Sequence, residues 1–245
     1  MTFNTCLNTD SLKWMAEYSG EPFADLAFCD PPYNIGLFYD SVNDNLTDDE
    51  FIQWNKTWLD LCINKCLKPT GQIYILMDDK YIAEIAVLCK QLGLHMQNWL
   101  IWHYNFGQSG PLDTRKRFTK SKVHILRFSR HKTKFTFNPV DIAVVSERMI
   151  NNPKRADPRG KCPDDVLLYK RVAGTHKERL NMITHLPCDL VRTLILACTN
   201  KGDLVYDPFP GSGIVLKMAR DLGRNFFGTE ISPSYAANIK TLLAM

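Results

Sequence analysis

The sequence predicts an α/β protein with a doubly wound, mainly parallel sheet and one inserted region. Three observations predict it. Short apolar runs of strand length alternate with stretches of helical apolar spacing, the rhythm of strand-helix-strand units. A glycine-rich turn at 207–213 separates a strand-like run from a helix-like one. The chain's 245 residues, 45% of them hydrophobic, suffice for the core of one large domain.

The elements follow in order. A helix is expected from Ser11, with Asp10 placed to cap it. Asp25-Leu26-Ala27-Phe28-Cys29 marks a strand at 24–29. Thr47 and Glu50 form a capping box for a helix whose apolar positions are Phe51, Trp54, Trp58, Leu61, Ile63 and Leu67, and Lys68-Pro69-Thr70-Gly71 ends it. Further strands are expected at 72–77, 98–104, 123–128, 203–206 and 225–229. Helices are expected at about 79–92, 141–150, 187–199 and 214–222, and a last one from Ser232-Pro233, serine as cap and proline in the first helical position. In 98–104, apolar and aromatic residues fall on both alternating faces, as in a strand buried on both sides. The polar stretch 138–180 reads as long loops, which in a compact domain are usually functional.

Charge divides the chain. The net charge is +4, yet residues 113–179 hold 18 Lys and Arg against 7 Asp and Glu. Arg115, Lys116, Arg117, Lys120 and Lys122 form a basic stripe suited to phosphate contacts that position a nucleic acid. The eight cysteines contain no Cys-x-x-Cys pair and sit mostly in apolar runs, so they read as buried hydrophobes, and no metal is called for. No apolar run is long enough for a membrane span, and no signal sequence is evident; an intracellular, cytoplasmic protein is expected.

Two motifs carry the chemistry. Asp30-Pro31-Pro32-Tyr33 directly follows the strand at 24–29. Proline lacks the N–H and fixes φ, so the paired prolines hold carbonyls outward as acceptors beside the Asp30 carboxylate. An exocyclic nucleobase amine offers two matching donors, and the Tyr33 ring offers a stacking face. The second motif is Asp207-Pro208-Phe209-Pro210-Gly211-Ser212-Gly213 at a strand-to-helix turn, where glycine backbone and helix N–H groups admit a ligand carboxylate or ribose. Glu230 ends the next strand and is placed to accept from ribose hydroxyls. The glycine spacing does not favour a nicotinamide or flavin dinucleotide.

In that order, the two motifs resemble the beta class of S-adenosylmethionine-dependent amino-methyltransferases of DNA, the N6-adenine and N4-cytosine family. The resemblance covers nearly the whole chain. It implies a Rossmann-like methyltransferase sheet in a single domain, 1–245, divided into a methylation half (1–104), a target-recognition insertion (105–180) and a cofactor half (181–245). It implies Asp30, Pro31, Pro32 and Tyr33 as the catalytic group. Asp30, Asp207, Pro208, Phe209, Gly211, Ser212, Gly213 and Glu230 are then expected at the cofactor, S-adenosylmethionine, with S-adenosylhomocysteine as product. Asp10 matches an acid near the cofactor adenine and equally well caps a helix. Ile214 stands where the family usually has Thr, and Leu186 replaces a lysine in Met182-Ile183-Thr184-His185-Leu186-Pro187, leaving His185 as the candidate donor to the cofactor.

The implied activity is site-specific DNA methylation at adenine N6 on a flipped base, of the kind found in restriction-modification, with DNA as partner and a homodimer as one assembly. Asp rather than Ser at the first tetrapeptide position favours adenine; N4-cytosine is the alternative. Another class, a non-catalytic nucleic-acid-binding subunit with this fold, would be marked by loss of Asp30, Tyr33 or the glycines, and all are present. RNA as substrate is disfavoured by the motif order.

Overall fold

The computed structural model describes residues 2–37, 44–104, 116, 118–172 and 185–244. Eight strands are β1 (Thr5–Asn8), β2 (Ala24–Cys29), β3 (Leu67–Met77), β4 (His95–His103), β5 (Lys122–Ser129), β6 (Val166–Leu168), β7 (Leu204–Asp207) and β8 (Asn225–Glu230). They form one sheet in the order β1-β8-β7-β2-β3-β5-β4-β6. Pairing is parallel except where β5 runs antiparallel to both β3 and β4. The α-helices are α1 (Ser11–Glu17), α2 (Asp48–Leu61), α3 (Ile82–Gln91), α4 (Glu147–Asn151), α5 (Cys188–Cys198), α6 (Ile214–Asp221) and α7 (Pro233–Ala244).

Strand alternation divides the core into two layers. Ala27 and Cys29 of β2 join Met15, Phe51, Trp58 and Ile85 on the face covered by α1, α2 and α3. Leu26 and Phe28 join Leu190, Leu194, Leu216 and Ile239 on the face covered by α5, α6 and α7. Cys29 thus points away from the α5–α7 face, and burial raises its thiol well above the usual range. Cys62 and Cys66, one turn apart after α2, are also fully buried.

The topology positions the site. From β2 the chain builds outward through β3, then returns to place β7 on the other side of β2, with Leu26 paired to Val205 and Ala27 to Tyr206. The crevice at the carboxyl ends of β2 and β7 is therefore a topological switch point, where open α/β sheets bind ligands. Asp30 follows β2 and Asp207 ends β7.

Several expectations are corrected. Lys68–Gly71 does not merely end a helix: β3 begins at Leu67, pairs Leu67 with Ala24, then Gln72 with Leu26, so this segment bulges within the strand. Of 98–104 only Trp102 and Tyr104 are buried, because β4 lies next to the sheet's edge and β6 covers only Ile101–His103. Trp99 is 38% exposed and donates its indole N–H to His124 Nδ1 at 2.9 Å. The helix expected at 141–150 is the shorter α4, preceded by a bridge between Val144 and Lys161. Strand β5, expected at 123–128, and β6 both fall within 105–180 and belong to the one sheet. Strands β1 and β6, too short to show a pattern, were not foreseen. Among the described residues no helix is long and apolar enough to cross a membrane, and no group of three His, Cys, Asp or Glu could hold a metal.

Candidate active site

Two adjoining cavities open at the switch point, and Asp30 and Leu186 line both. The first, about 360 Å³, runs from the start of α1 across the β7–α6 turn to the end of β8. Five carboxylates line it, from Asp10, Asp30, Asp44, Asp207 and Glu230, and no Lys, Arg or His is among its described lining residues. The aromatic wall comes from Trp54, whose ring lies 5.7 Å from that of Phe209.

The glycine turn is built by backbone geometry. Gly211 and Gly213 have φ of 47° and 76°, which side chains with a Cβ rarely adopt. At Gly213 a Cβ would also sit 2.8 Å from Ile239 Cγ1, so its absence admits α7 as well as shaping the cavity. Glu230 fastens the turn: Oε2 accepts from Gly211 N at 3.0 Å and Oε1 from Ser232 N at 2.8 Å. Burial raises its pKa while these N–H donors oppose the shift. Asp207 accepts from Phe209 N at 2.9 Å; burial holds its carboxyl well above the usual range, and the neighbouring Asp30 and Glu230 charges add to this. Ile214, in place of the family's Thr, is buried against the α5–α7 layer.

Asp10 is both a helix cap and a cavity residue. It caps α1, Oδ1 accepting from Leu12 N at 2.7 Å and Lys13 N at 3.1 Å, and it also lines the first cavity. Both capping bonds fall on one oxygen, so Oδ2 keeps acceptor capacity.

The tetrapeptide is divided between the cavities. Pro32 lines the first, Pro31 and Tyr33 the second, and Asp30 the seam. Tyr33 Oη donates to Asp30 Oδ1 at 2.5 Å, so the tyrosine orients the acid as well as presenting its ring. Burial pushes the Asp30 carboxyl up to about 6, and the Tyr33 bond pulls the other way. Behind it, Asn34 takes a positive φ of 56°, tolerable for Asn. Asp44 fixes that loop by accepting from the N–H groups of Asn34 at 2.7 Å, Ile35 at 3.2 Å and Leu37 at 2.9 Å.

The second cavity, about 290 Å³, has Trp102, Tyr104 and Val123 beside Asp78, Lys120, Arg171 and His185. Lys120 is ion-paired with Asp78, and Lys122 with Asp79. Both expected phosphate contacts are thus tied to the end of β3, and Lys120 lines a cavity rather than an open surface. Lys116 is exposed; Arg115 and Arg117 lie outside the described residues, as do Met182, Ile183 and Thr184. His185, expected at the cofactor, lines the second cavity, and Leu186 beside it lines both. Sequence reasoning missed Asp44, Trp54, Asp78 and Arg171. Trp54 falls in the apolar stripe of α2, where nothing separates a cavity wall from core.

The comparisons agree with this geometry. Residues 24–241 match the family profile described as DNA methylase, with N6 and N4 members. The type II methyltransferase M.HpaI of Haemophilus parainfluenzae is 35% identical over 89% of this chain and 68% of its own length. The DNA adenine methyltransferase YhdJ of Escherichia coli is 30% identical over 94% of this chain and 79% of its own. Among solved structures, the M1.HpyAVI complex with SAM superposes with a TM-score of 0.70 at 22% identity, covering 98% of this chain and 99% of that one. The cytosine-N4-specific PvuII DNA methyltransferase superposes at 0.74 and 17% identity, covering 98% and 86%; both likenesses are of fold. With the profile spanning most of the sequence and two relatives at this level of identity, the chain belongs to the N6/N4 DNA methylase family.

Proposed function

We propose that this DNA methylase transfers a methyl group from S-adenosylmethionine to the N6 amine of an adenine turned out of the DNA duplex. The observation that carries the reading is the position of Asp30 at the seam of two cavities, one uniformly acidic and one bearing cations and aromatic rings. S-adenosylmethionine supplies an activated methyl group on a sulfonium cation. A pocket with five carboxylates and no described cation suits that positive charge and the amino group beside it. Ser212, at the entry to α6, would meet the cofactor's polar groups through its backbone N–H, while Gly211 N–H stays with Glu230, which retains lone pairs for ribose hydroxyls. Trp54 and Phe209 provide the flat apolar wall an adenine ring needs.

On the other side, an amine inside a stacked duplex is out of reach, so the base must be extruded to enter the second cavity. There Asp30 and the Pro31 carbonyl accept its two N–H bonds and turn the nitrogen lone pair toward the seam. As the nitrogen bonds to the methyl carbon and the carbon–sulfur bond breaks, positive charge grows on nitrogen beside the Asp30 carboxylate. Positioning and that preorganised charge supply the rate. The Asp of the tetrapeptide and the likeness to a relative named as an adenine methyltransferase support adenine over cytosine.

The test is nucleoside mass spectrometry of DNA incubated with the protein and labelled S-adenosylmethionine, with modification sequencing of the same DNA to locate the motif. N6-methyladenine is expected. N4-methylcytosine alone overturns the choice of base, and labelling of neither overturns the reading as a whole.

A further inference from the structure

Building on the reading of the second cavity as the seat of an extruded base, we infer that Arg171 grips a phosphate flanking the target nucleotide and so holds the base out of the stack. Two cations line that cavity besides His185, and they differ in one respect. Lys120 is already neutralised by Asp78, which is itself buried. Arg171 belongs to none of the ion pairs among the described residues; its guanidinium carbon lies 5.0 Å from the centre of the Tyr104 ring. Tyr104 is 6% exposed and anchored at the end of β4, its N–H donating to Ser121 O at 2.9 Å.

Those facts point to an anion. Arg171 is exposed, so its charge is available at the cavity's mouth, where the sugar-phosphate of an extruded nucleotide must pass. A guanidinium presents a planar fork that meets two phosphate oxygens at once, and stacking on a buried ring removes much of the freedom it would lose on binding. Its nearness also helps depress the Lys120 ammonium, after burial and Lys122.

The test uses the full chain and a duplex carrying the recognised sequence, with an uncharged methylphosphonate replacing, one at a time, each phosphate flanking the target. For the unsubstituted protein one such replacement should raise the KM for DNA about tenfold, the worth of a charge-assisted hydrogen bond. Arg171→Ala should raise KM similarly on ordinary DNA and gain no further sensitivity to that methylphosphonate. It should also flatten the log–log salt dependence of DNA binding by about 0.9. Arg171→Lys, keeping charge without the fork, should fall between the two. A 2-aminopurine placed at the target should brighten less with Arg171→Ala, while cofactor affinity by calorimetry stays unchanged and shows that the variant folds. If Arg171→Ala keeps the parent's KM within about twofold, or remains equally sensitive to the methylphosphonate, the assignment is overturned. A parent protein that methylates no DNA overturns the preceding reading, and this one with it.

Discussion

The two cavities that share Asp30 differ in charge and in how they are assembled. The first is lined by five carboxylates and no described cation, the second by Asp30 and Asp78 against Lys120, Arg171 and His185. On the proposed reading charge helps sort the ligands: the first cavity attracts a cationic methyl donor, and at the second Arg171 is open to a polyanion. Among the described residues Asp30 is the one acid common to both. On the proposed reading it must stay dry enough to sit beside apolar walls yet ionise to accept an amine, and its carboxyl, pushed up to about 6, sits between those demands.

The most damaging break in this pairing is at the shared residue. Asp30→Ala should lower kcat by about 10³-fold, the scale of removing a preorganised charge-stabilising group. It should also weaken the cofactor, because one of five carboxylates leaves the first cavity. Methyl transfer from labelled S-adenosylmethionine measures the first effect and calorimetry the second. Loss of kcat with fully parental cofactor affinity would show that Asp30 serves only the second cavity.

The next break separates the cavities by stability. Gly213→Ala forces a Cβ at a φ of 76° and within 2.8 Å of Ile239, so the β7–α6 turn must move. We expect a loss of about 2–4 kcal/mol, strain and overpacking combined, seen as a lower Tm together with weak cofactor binding. Substitutions at the second cavity, such as the Arg171 variants, should leave Tm unchanged.

A pH profile sharpens the role of the seam. Only ionised Asp30 accepts both an amine N–H and the Tyr33 hydroxyl, so kcat should rise through about pH 6 and level off above it. Tyr33→Phe removes the hydrogen bond that favours the charged form, so the acidic limb should move to higher pH and plateau kcat should fall about tenfold. An unmoved limb would mean that the group titrating near pH 6 is not Asp30.

The contrast between cavities also explains what the sequence disclosed. The first was legible because its parts are local: Asp207 to Gly213, then Glu230 one helix later, lie on one strand-turn-helix-strand unit whose spacing follows from the fold. The sheet was legible for the same reason, except for β1 and β6, which are too short to carry a period. The second cavity draws on the loop at 30–37, Lys120 and the start of β5, the ends of β3 and β4, and residues 171–172 and 185–186. No periodicity joins such positions, so Asp78 and Arg171 gave no signal, and nothing in the sequence places His185 beside them. Asp44 escaped for a related reason: it acts on the N–H groups of residues 7 to 10 positions earlier, in a stretch of sequence without a motif.

The smallest expected effect concerns the basic stripe. Composition makes Lys116 and Lys122 equivalent, whereas Lys122 is paired with Asp79 and Lys116 is exposed without a carboxylate among the described residues. A lysine already neutralised must give up its partner before it can release counterions from DNA, so the two should differ in salt dependence rather than in catalysis. Lys116→Ala should flatten the log–log slope of DNA affinity against salt by about 0.9, and Lys122→Ala by clearly less, with kcat unaltered by Lys116→Ala. Equal slopes for the two variants would mean that DNA pulls Lys122 away from Asp79 at little cost, and that the stripe acts as one phosphate-binding surface.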